Sequence, residues 1–224
     1  MNRSFLIKII GIGVLTLLMS FALMYINNMI LERQARQSQV VSELARSSAG
    51  KQTLAGPVLV IPYTEQYDEI QNTLEGNKVV RYQAQDALYI LPDQLELNGD
   101  FTTGFKALGL YKVLFYNLGG SVSGQFKIPK NLVLPHPKRI SSVAWGSAYV
   151  SVGMSDTRGI GSNPVLTWNG IEQPFLVGTQ HELLGKGMHA DIGQIVGYEG
   201  LSVPFSFDLA LRGMESFNSY PLVM

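Results

Sequence analysis

FLIKIIGIGVLTLLMSFALMYINNMIL, residues Phe5 to Leu31, is almost wholly apolar, and no charge falls between Ile9 and Ile26. With its flanks it reaches the roughly 20 residues that a helix rising about 1.5 Å per residue needs to cross a hydrocarbon layer about 30 Å thick. The stretch predicts a transmembrane helix. A secretory signal would place a small-x-small cleavage site just after the apolar run. Here the run passes through Met24-Tyr25-Ile26-Asn27-Asn28 into a polar segment of helical character, which predicts an uncleaved anchor. The lipid bilayer is therefore the first expected partner of everything downstream.

Working outward, NMILERQARQSQVVSELARSSAG keeps helical spacing. Leu31, Ala35, Val41, Leu44 and Ala45 approximate one apolar stripe, and Glu32 stands four residues before Arg36. Gly50 supplies a stop. The stripe lasts too few heptads for a coiled coil, so it predicts a stalk that packs against the following domain, either continuous with the anchor or bent from it. Gly11-Ile12-Gly13 inside the anchor would let another helix approach closely.

The 224 residues balance to zero net charge, but unevenly. Through Lys51 there are six basic residues against Glu32 and Glu43, a net +4, while the remainder carries a net −4. A basic membrane-proximal segment suits anionic head groups, and a mildly acidic remainder excludes the field that nucleic acid needs. Basic residues flank both ends of the anchor, so the positive-inside count leaves orientation open. Cysteine is absent, which removes disulfides, thiolate metal sites and thiol catalysis together.

After Gly50 the texture changes to short branched runs punctuated by Gly, Asn and Pro. Pro57 to Thr64, PVLVIPYT, reads as a buried strand whose end Pro62 demotes to an edge or bulge. Glu75-Gly76-Asn77 reads as a turn before a strand over Val79 to Leu91. Further strands are expected over Gly109 to Tyr116, Gly120 to Ile128, Ser142 to Val152 and Leu201 to Leu211. In PVLTW-NG-IEQPFLV, Asn169-Gly170 offers the two positive-φ positions of a type I′ hairpin. The expected fold is mainly β, an antiparallel sandwich-like domain on an N-terminal transmembrane helix and helical stalk. The expected divisions are 1–31 for the anchor, 32–50 for the stalk and 51–224 for the β-rich domain.

Two groups of residues invite chemistry. His181-Glu182-Leu183-Leu184-Gly185, followed by His189 and Asp191, begins like a zinc-protease HExxH, but Gly185 stands where the second histidine must share the metal one helical turn on. Gly185 and Gly187 also argue against a helix. A metal could be held only if an irregular loop gathered His181, Glu182, His189 and Asp191, and none is expected. Ser155-Asp156-Thr157-Arg158-Gly159-Ile160-Gly161 is a polar knot between strands. Asp156 can bond turn amides, and Arg158 offers a planar fork for carbonyls, a carboxylate or a phosphate. A structural, carbonyl-capping Arg158 is the preferred reading over anion binding, because no phosphate-cradling glycine pattern accompanies it.

No nucleophile stands out. Gly120-Ser121-Val122-Ser123-Gly124 has Val122 where GxSxG requires serine. Asp68, Glu69, Asp93 and Glu96 read as solvated loop charges rather than a glycosidase pair. Trp145 and Trp168 read as packing residues.

Several strings taken together, LAGPVLVIPYTE at 54–65, ILPDQLELNGD at 90–100, LGLYKV at 108–113, SVGMSDTRGIG at 151–161 and GKGMH at 185–189, resemble the CreD family of bacterial inner-membrane, cell-envelope integrity proteins. The segment ERQARQSQVVSELARSSAGKQTLAGP at 32–57 is similar to the family's start. The resemblance implies an amino-terminal transmembrane helix, a periplasmic β-rich domain and then a cluster of carboxy-terminal transmembrane helices, the last not among these 224 residues. It also implies a role in envelope homeostasis under cell-wall stress, with no established reaction, no cofactor and no catalytic residues to carry over. Asp156, Arg158, Gly159, Gly161 and His189 remain motif members of unassigned role.

The expectation is thus a non-enzymatic envelope protein acting through its periplasmic domain, with other inner-membrane or envelope proteins as possible partners. The alternatives are a metal-dependent envelope hydrolase built on His181, Glu182, His189 and Asp191, or a module binding anionic lipid or glycan through Arg158. The abrupt apolar finish, Pro221-Leu222-Val223-Met224, predicts a domain incomplete at its C-terminus.

Overall fold

The structure is a computed structural model and describes residues 3–47, 49–73, 76–108, 111–132, 134, 140–195, 198–214 and 216–221. The chain divides into two compact units, Met1–Ser47 with Ala107–Lys112, and Ser48–Lys106 with Val113–Met224.

In the first unit, α1 (Arg3–Ser47) is a single unbroken helix, so anchor and stalk residues share one rod. Within it Ile7–Val40 is long and apolar enough to cross a membrane. Its side chains from Ile7 to Gln39 are exposed, as a lipid-facing surface requires. Thr16 and Ser20 return their hydroxyls to the carbonyls of Ile12 and Thr16, four residues back, so neither presents an unsatisfied group to lipid. Arg36 donates to Glu32 across the expected i,i+4 spacing. The side chains of Val41, Leu44 and Ala45, three of the five residues of the predicted stripe, lie outside what the structure describes.

The second unit is two sheets face to face. The first carries β1 (Gln52–Thr73), β2 (Gly76–Ile90), β5 (Ile140–Trp145), β6 (Ala148–Met154), β9 (Leu176–Val177), β10 (Gly187–Gly193) and β12 (Phe217–Tyr220). The second runs β3 (Gln94–Leu108), β4 (Tyr111–Lys127), β11 (Ser202–Met214), β7 (Val165–Trp168) and β8 (Ile171–Pro174). Described pairings are antiparallel except β1 with β12, which is parallel. The core lies between the sheets: Leu59 and Ile61 of β1 and Val150 and Val152 of β6 meet Phe126, Leu166, Trp168 and the inward residues Val203, Phe205, Phe207, Leu209 and Leu211 of β11. On β11 alternate residues from Val203 to Leu211 are buried, the period-2 pattern of a strand with one face on a core.

The PVLVIPYT run is buried on both faces for a reason alternation alone does not reveal. Leu59 and Ile61 face the main core, whereas Val58 and Val60 form a second cluster with Tyr149, packed under Ala87, Leu91 and Leu184. Nor does Pro62 end the strand. It lies where one flank of β1 changes neighbour, from β6 (up to Val60) to β5 (from Tyr63), so its missing N–H breaks no ladder bond there. Its carbonyl accepts from the Gly146 amide at 2.8 Å.

That contact also corrects the single strand expected over Ser142 to Val152, which breaks at Gly146 into β5 and β6. The two strands expected over Gly109–Tyr116 and Gly120–Ile128 are one, β4. Gly119 and Gly120 do not interrupt it, and Gly120 lets β4 approach β3 closely: a Cβ there would sit 2.6 Å from the Asn98 carbonyl. Strand β3 itself is not legible from its pattern, since Asn98-Gly99-Asp100 mimics a turn. Gly76 and Asn77 open β2, paired with Thr73 and Asn72, rather than forming the turn. The Asn-Gly hairpin is as read: Trp168 pairs with Ile171, and Asn169 and Gly170 have φ of 48° and 82°.

Candidate functional site

The Ser155–Gly161 string forms a clasp around the segment by which the chain enters the β domain. Ser155 exchanges backbone and side-chain bonds with Thr53: its amide donates to the Thr53 carbonyl at 3.1 Å and its Oγ accepts from the Thr53 amide at 3.0 Å. The same Oγ donates to the Lys51 carbonyl at 2.8 Å. Gln52, 1% exposed, points its amide inward, with Nε2 donating to the Asp156 carbonyl at 2.9 Å. On the far side, Gly161 donates to Ala210 of β11 at 2.8 Å, Met214 donates to Gly50 at 3.1 Å, and the Gln52 amide donates to Ser216 at 3.1 Å. Three segments distant in sequence, 50–53, 155–161 and 210–216, are joined at one point.

Within the clasp, Asp156 caps a 3-10 turn, Thr157–Gly159, by accepting from the Arg158 amide at 3.1 Å. Arg158 then folds back and grips the same carboxylate with both arms, Nε to Oδ1 at 3.0 Å and Nη2 to Oδ2 at 2.6 Å. The fork thus holds a carboxylate, where sequence reasoning favoured carbonyls. Its hydrogen bonds, ahead of a smaller contribution from the Gly50 amide, hold the Asp156 carboxyl below the usual carboxylate range. Gly159 is the tightest point: a Cβ there would overlap the Gln52 side-chain amide and lie 2.6 Å from the Arg212 carbonyl. Gly161 is looser, at 3.4 Å from Ala210.

His189 belongs to a different grouping, on the outer face of the first sheet. Loop Gly178–Lys186 crosses β6 and β10 there, and its turns use positive φ at Gly178, Gln180 and Gly185. The buried His189 ring is held at both nitrogens, Nδ1–H donating to the Gly178 carbonyl at 2.6 Å and Nε2 accepting from the Gln180 amide at 2.6 Å. That pattern fixes the neutral tautomer and occupies the lone pair a metal would need. Buried Ser151 donates to the Thr179 carbonyl at 3.3 Å, and Thr179 Oγ1 lies 2.6 Å from the Gly185 carbonyl, closing the loop on itself.

His181 meets Tyr89 edge-on and Tyr149 at a tilt, with ring centroids 5.5 and 6.2 Å away. Both of its ring nitrogens are shut from solvent, with no hydrogen-bond partner among the described residues. Burial pushes its pKa down. Among the described residues, no three His, Asp or Glu side chains gather as a metal site. The two histidines bracket Tyr149, with His189 5.9 Å from its ring, and Asp191 is exposed.

Sequence reasoning found the clasp's turn residues but missed Gln52, Tyr149 and Thr179. A glutamine at a strand start reads as solvated, and only the tertiary approach of Ser155 and Arg212 buries it. It also missed an apolar cleft of about 240 Å³ between the sheets, lined by Leu54, Leu95, Leu97, Val122 and Tyr220 among others.

One membrane-crossing helix followed by a two-sheet β domain defines a membrane-anchored β-sandwich protein. The family model described as Inner membrane protein CreD matches residues 4–223, and the chain belongs to that family. It is 27% identical over 173 residues to Inner membrane protein CreD of Escherichia coli (strain K12), a match covering 77% of this chain and 37% of that protein. The chain therefore spans well under half the length of the curated relative it matches. No solved structure matches. Family and helix together make this a membrane protein of the cell envelope.

Proposed function

We propose that the chain serves cell-envelope integrity under cell-wall stress, with the β domain on the periplasmic face of the inner membrane and acting by binding rather than by catalysis. The observation that carries this reading is the family match over residues 4–223. Geometry supports it from the other side. The residues most suggestive of chemistry are spent on structure: the Asp156–Arg158 fork on the clasp, and both nitrogens of His189 on the covering loop. Partners are other proteins of the inner membrane or envelope.

The test of sidedness is a reporter active only outside the cytoplasm, inserted in the β1–β2 hairpin beside Asn77. Activity of that fusion is expected, and activity of a cytoplasm-only reporter at the same position would reverse the topology. The role is tested by challenging cells lacking the protein with a cell-wall inhibitor: lowered survival is expected, restored by the intact gene.

A further inference from the structure

The inward face of the β3–β4 hairpin outruns the body it packs on. Leu97, Phe101 and Phe105 occupy the same face of β3, four residues apart at each step in a period-2 strand. Leu97 lines the cleft between the sheets. Phe101 still has cover, meeting Tyr116 and Phe217 edge-on at 5.9 and 5.5 Å. Phe105, about 13 Å further along the strand, is 74% exposed. A phenylalanine in water at the end of an apolar stripe marks a surface built for contact.

Three further observations say with what. From Phe101 to Phe115 the sequence holds no acidic residue, and its only charges are Lys106 and Lys112. Lys106 places its ammonium over the Phe115 ring, Nζ 5.7 Å from the centroid, so an aromatic surface and a cation lie side by side. Finally, Lys112 on the opposing strand is exposed. An exposed aromatic flanked by lysines is the chemistry of an interfacial anchor: the ring enters the head-group boundary and each ammonium meets lipid phosphate.

We infer that the β3–β4 hairpin is a second membrane contact, dipping Phe105 into the interface of an anionic bilayer with Lys106 and Lys112 on the head groups. The inference needs only the membrane-crossing helix and holds whichever side the domain occupies, so it stands or falls separately from the periplasmic role. Because the chain has no cysteine, Ala107→Cys gives a unique site for an environment-sensitive fluorophore beside an intact Phe105. The anchored chain is reconstituted in phosphatidylethanolamine–phosphatidylglycerol vesicles containing nitroxide lipid, and Val177→Cys, 78% exposed on β9, carries the control probe.

Expected are blue-shifted emission and quenching several-fold stronger at 107 than at 177. Both should fall to the control level in Phe105→Ser and in the Lys106→Glu, Lys112→Glu pair, while phosphatidylcholine vesicles should give weaker quenching. Equal quenching at 107 and 177 overturns the inference. So does a probe shielded from lipid and water alike, the result that coverage by a second copy or another protein would give. Quenching unchanged by the lysine reversals overturns the anionic requirement and with it the proposal as stated.

Discussion

The clasp at Ser155–Gly161 continues from the end of β6 and the loop at Gly178–Lys186 covers that strand, and they hold on in opposite ways. The clasp is joined by backbone groups: Gly161 to Ala210, Met214 to Gly50, Ser155 to Thr53. Its Gly159 stands where no side chain fits. The loop is joined by side chains, His189, Gln180, Thr179 and Leu184, and its Gly178 and Gly185 stand in open space at positive φ. Backbone joinery depends little on which side chains surround it but fails abruptly when a Cβ intrudes. Side-chain joinery weakens by degrees and responds to protonation. The first suits a fixed root, the second a cover that can yield.

The sharpest break in this comparison is Gly159→Ala. The added Cβ meets the Gln52 amide and the Arg212 carbonyl, groups that cannot retreat without dismantling the clasp, and a loss of about 3 kcal/mol is expected in chemical denaturation. Gly161→Ala, with an ordinary 3.4 Å contact, should cost under about 1 kcal/mol. Equal costs would mean that the clasp is not set by close approach.

Val60→Ala is next, at about 2 kcal/mol, although Val60 faces away from the main core. Leu184→Ala should cost less globally yet raise protease cleavage between Gly178 and Lys186. If Leu184→Ala leaves the loop as resistant as before, the cover is held by its polar bonds alone.

The smallest effects are in pH, and they fall in different windows. Burial lowers the His181 pKa, so the folded loop favours the neutral ring. That contribution is complete well above 6.5 and is lost as pH falls below it toward the depressed value. Acidification in that range should speed amide exchange in Gly178–Lys186, and His181→Phe should abolish the change. The Asp156 carboxyl is also depressed, so its contribution is present above 3.8 and disappears only as pH falls through its lower folded value. The clasp should therefore stay closed where the loop has begun to open. Simultaneous exchange at both places would erase the distinction between them.

How much of this was legible in the sequence follows from the range of the forces involved. The membrane helix and the Asn-Gly hairpin are local: twenty apolar residues, or two residues able to take positive φ, carry the whole signal. The alternation of β11 is nearly as local, since one face meets one core. Strand β3 and the fusion of two expected strands into β4 were not legible, because Asn98-Gly99-Asp100 and Gly119-Gly120 are turn residues by propensity. Here Gly99 and Gly120 serve close strand approach, which only the partner strand reveals. For the candidate site, Asp156, Arg158, Gly159 and Gly161 announced a turn. That the turn closes on Gln52, some 104 residues earlier, is a tertiary fact with no local trace. His189 was visible as a residue but not as the pin of a covering loop.

Strand β1 has a consequence of a mechanical kind. Along its length it is flanked first by β12 and β6, then by β2 and β6, then by β2 and β5. Its first residue, Gln52, lies just beyond the membrane helix in sequence, so any tension carried along the chain from the anchor enters the domain there. Tension along a strand that is paired on both sides loads its hydrogen bonds together, in shear, instead of opening them singly from an end. The parallel partner β12 adds to this: Gln52 starts one strand opposite Phe217, and pulling the two strands' outer ends apart slides them past each other without peeling. A pull that enters at Gln52 along β1 is thus shared by the ladder bonds on both flanks of the strand.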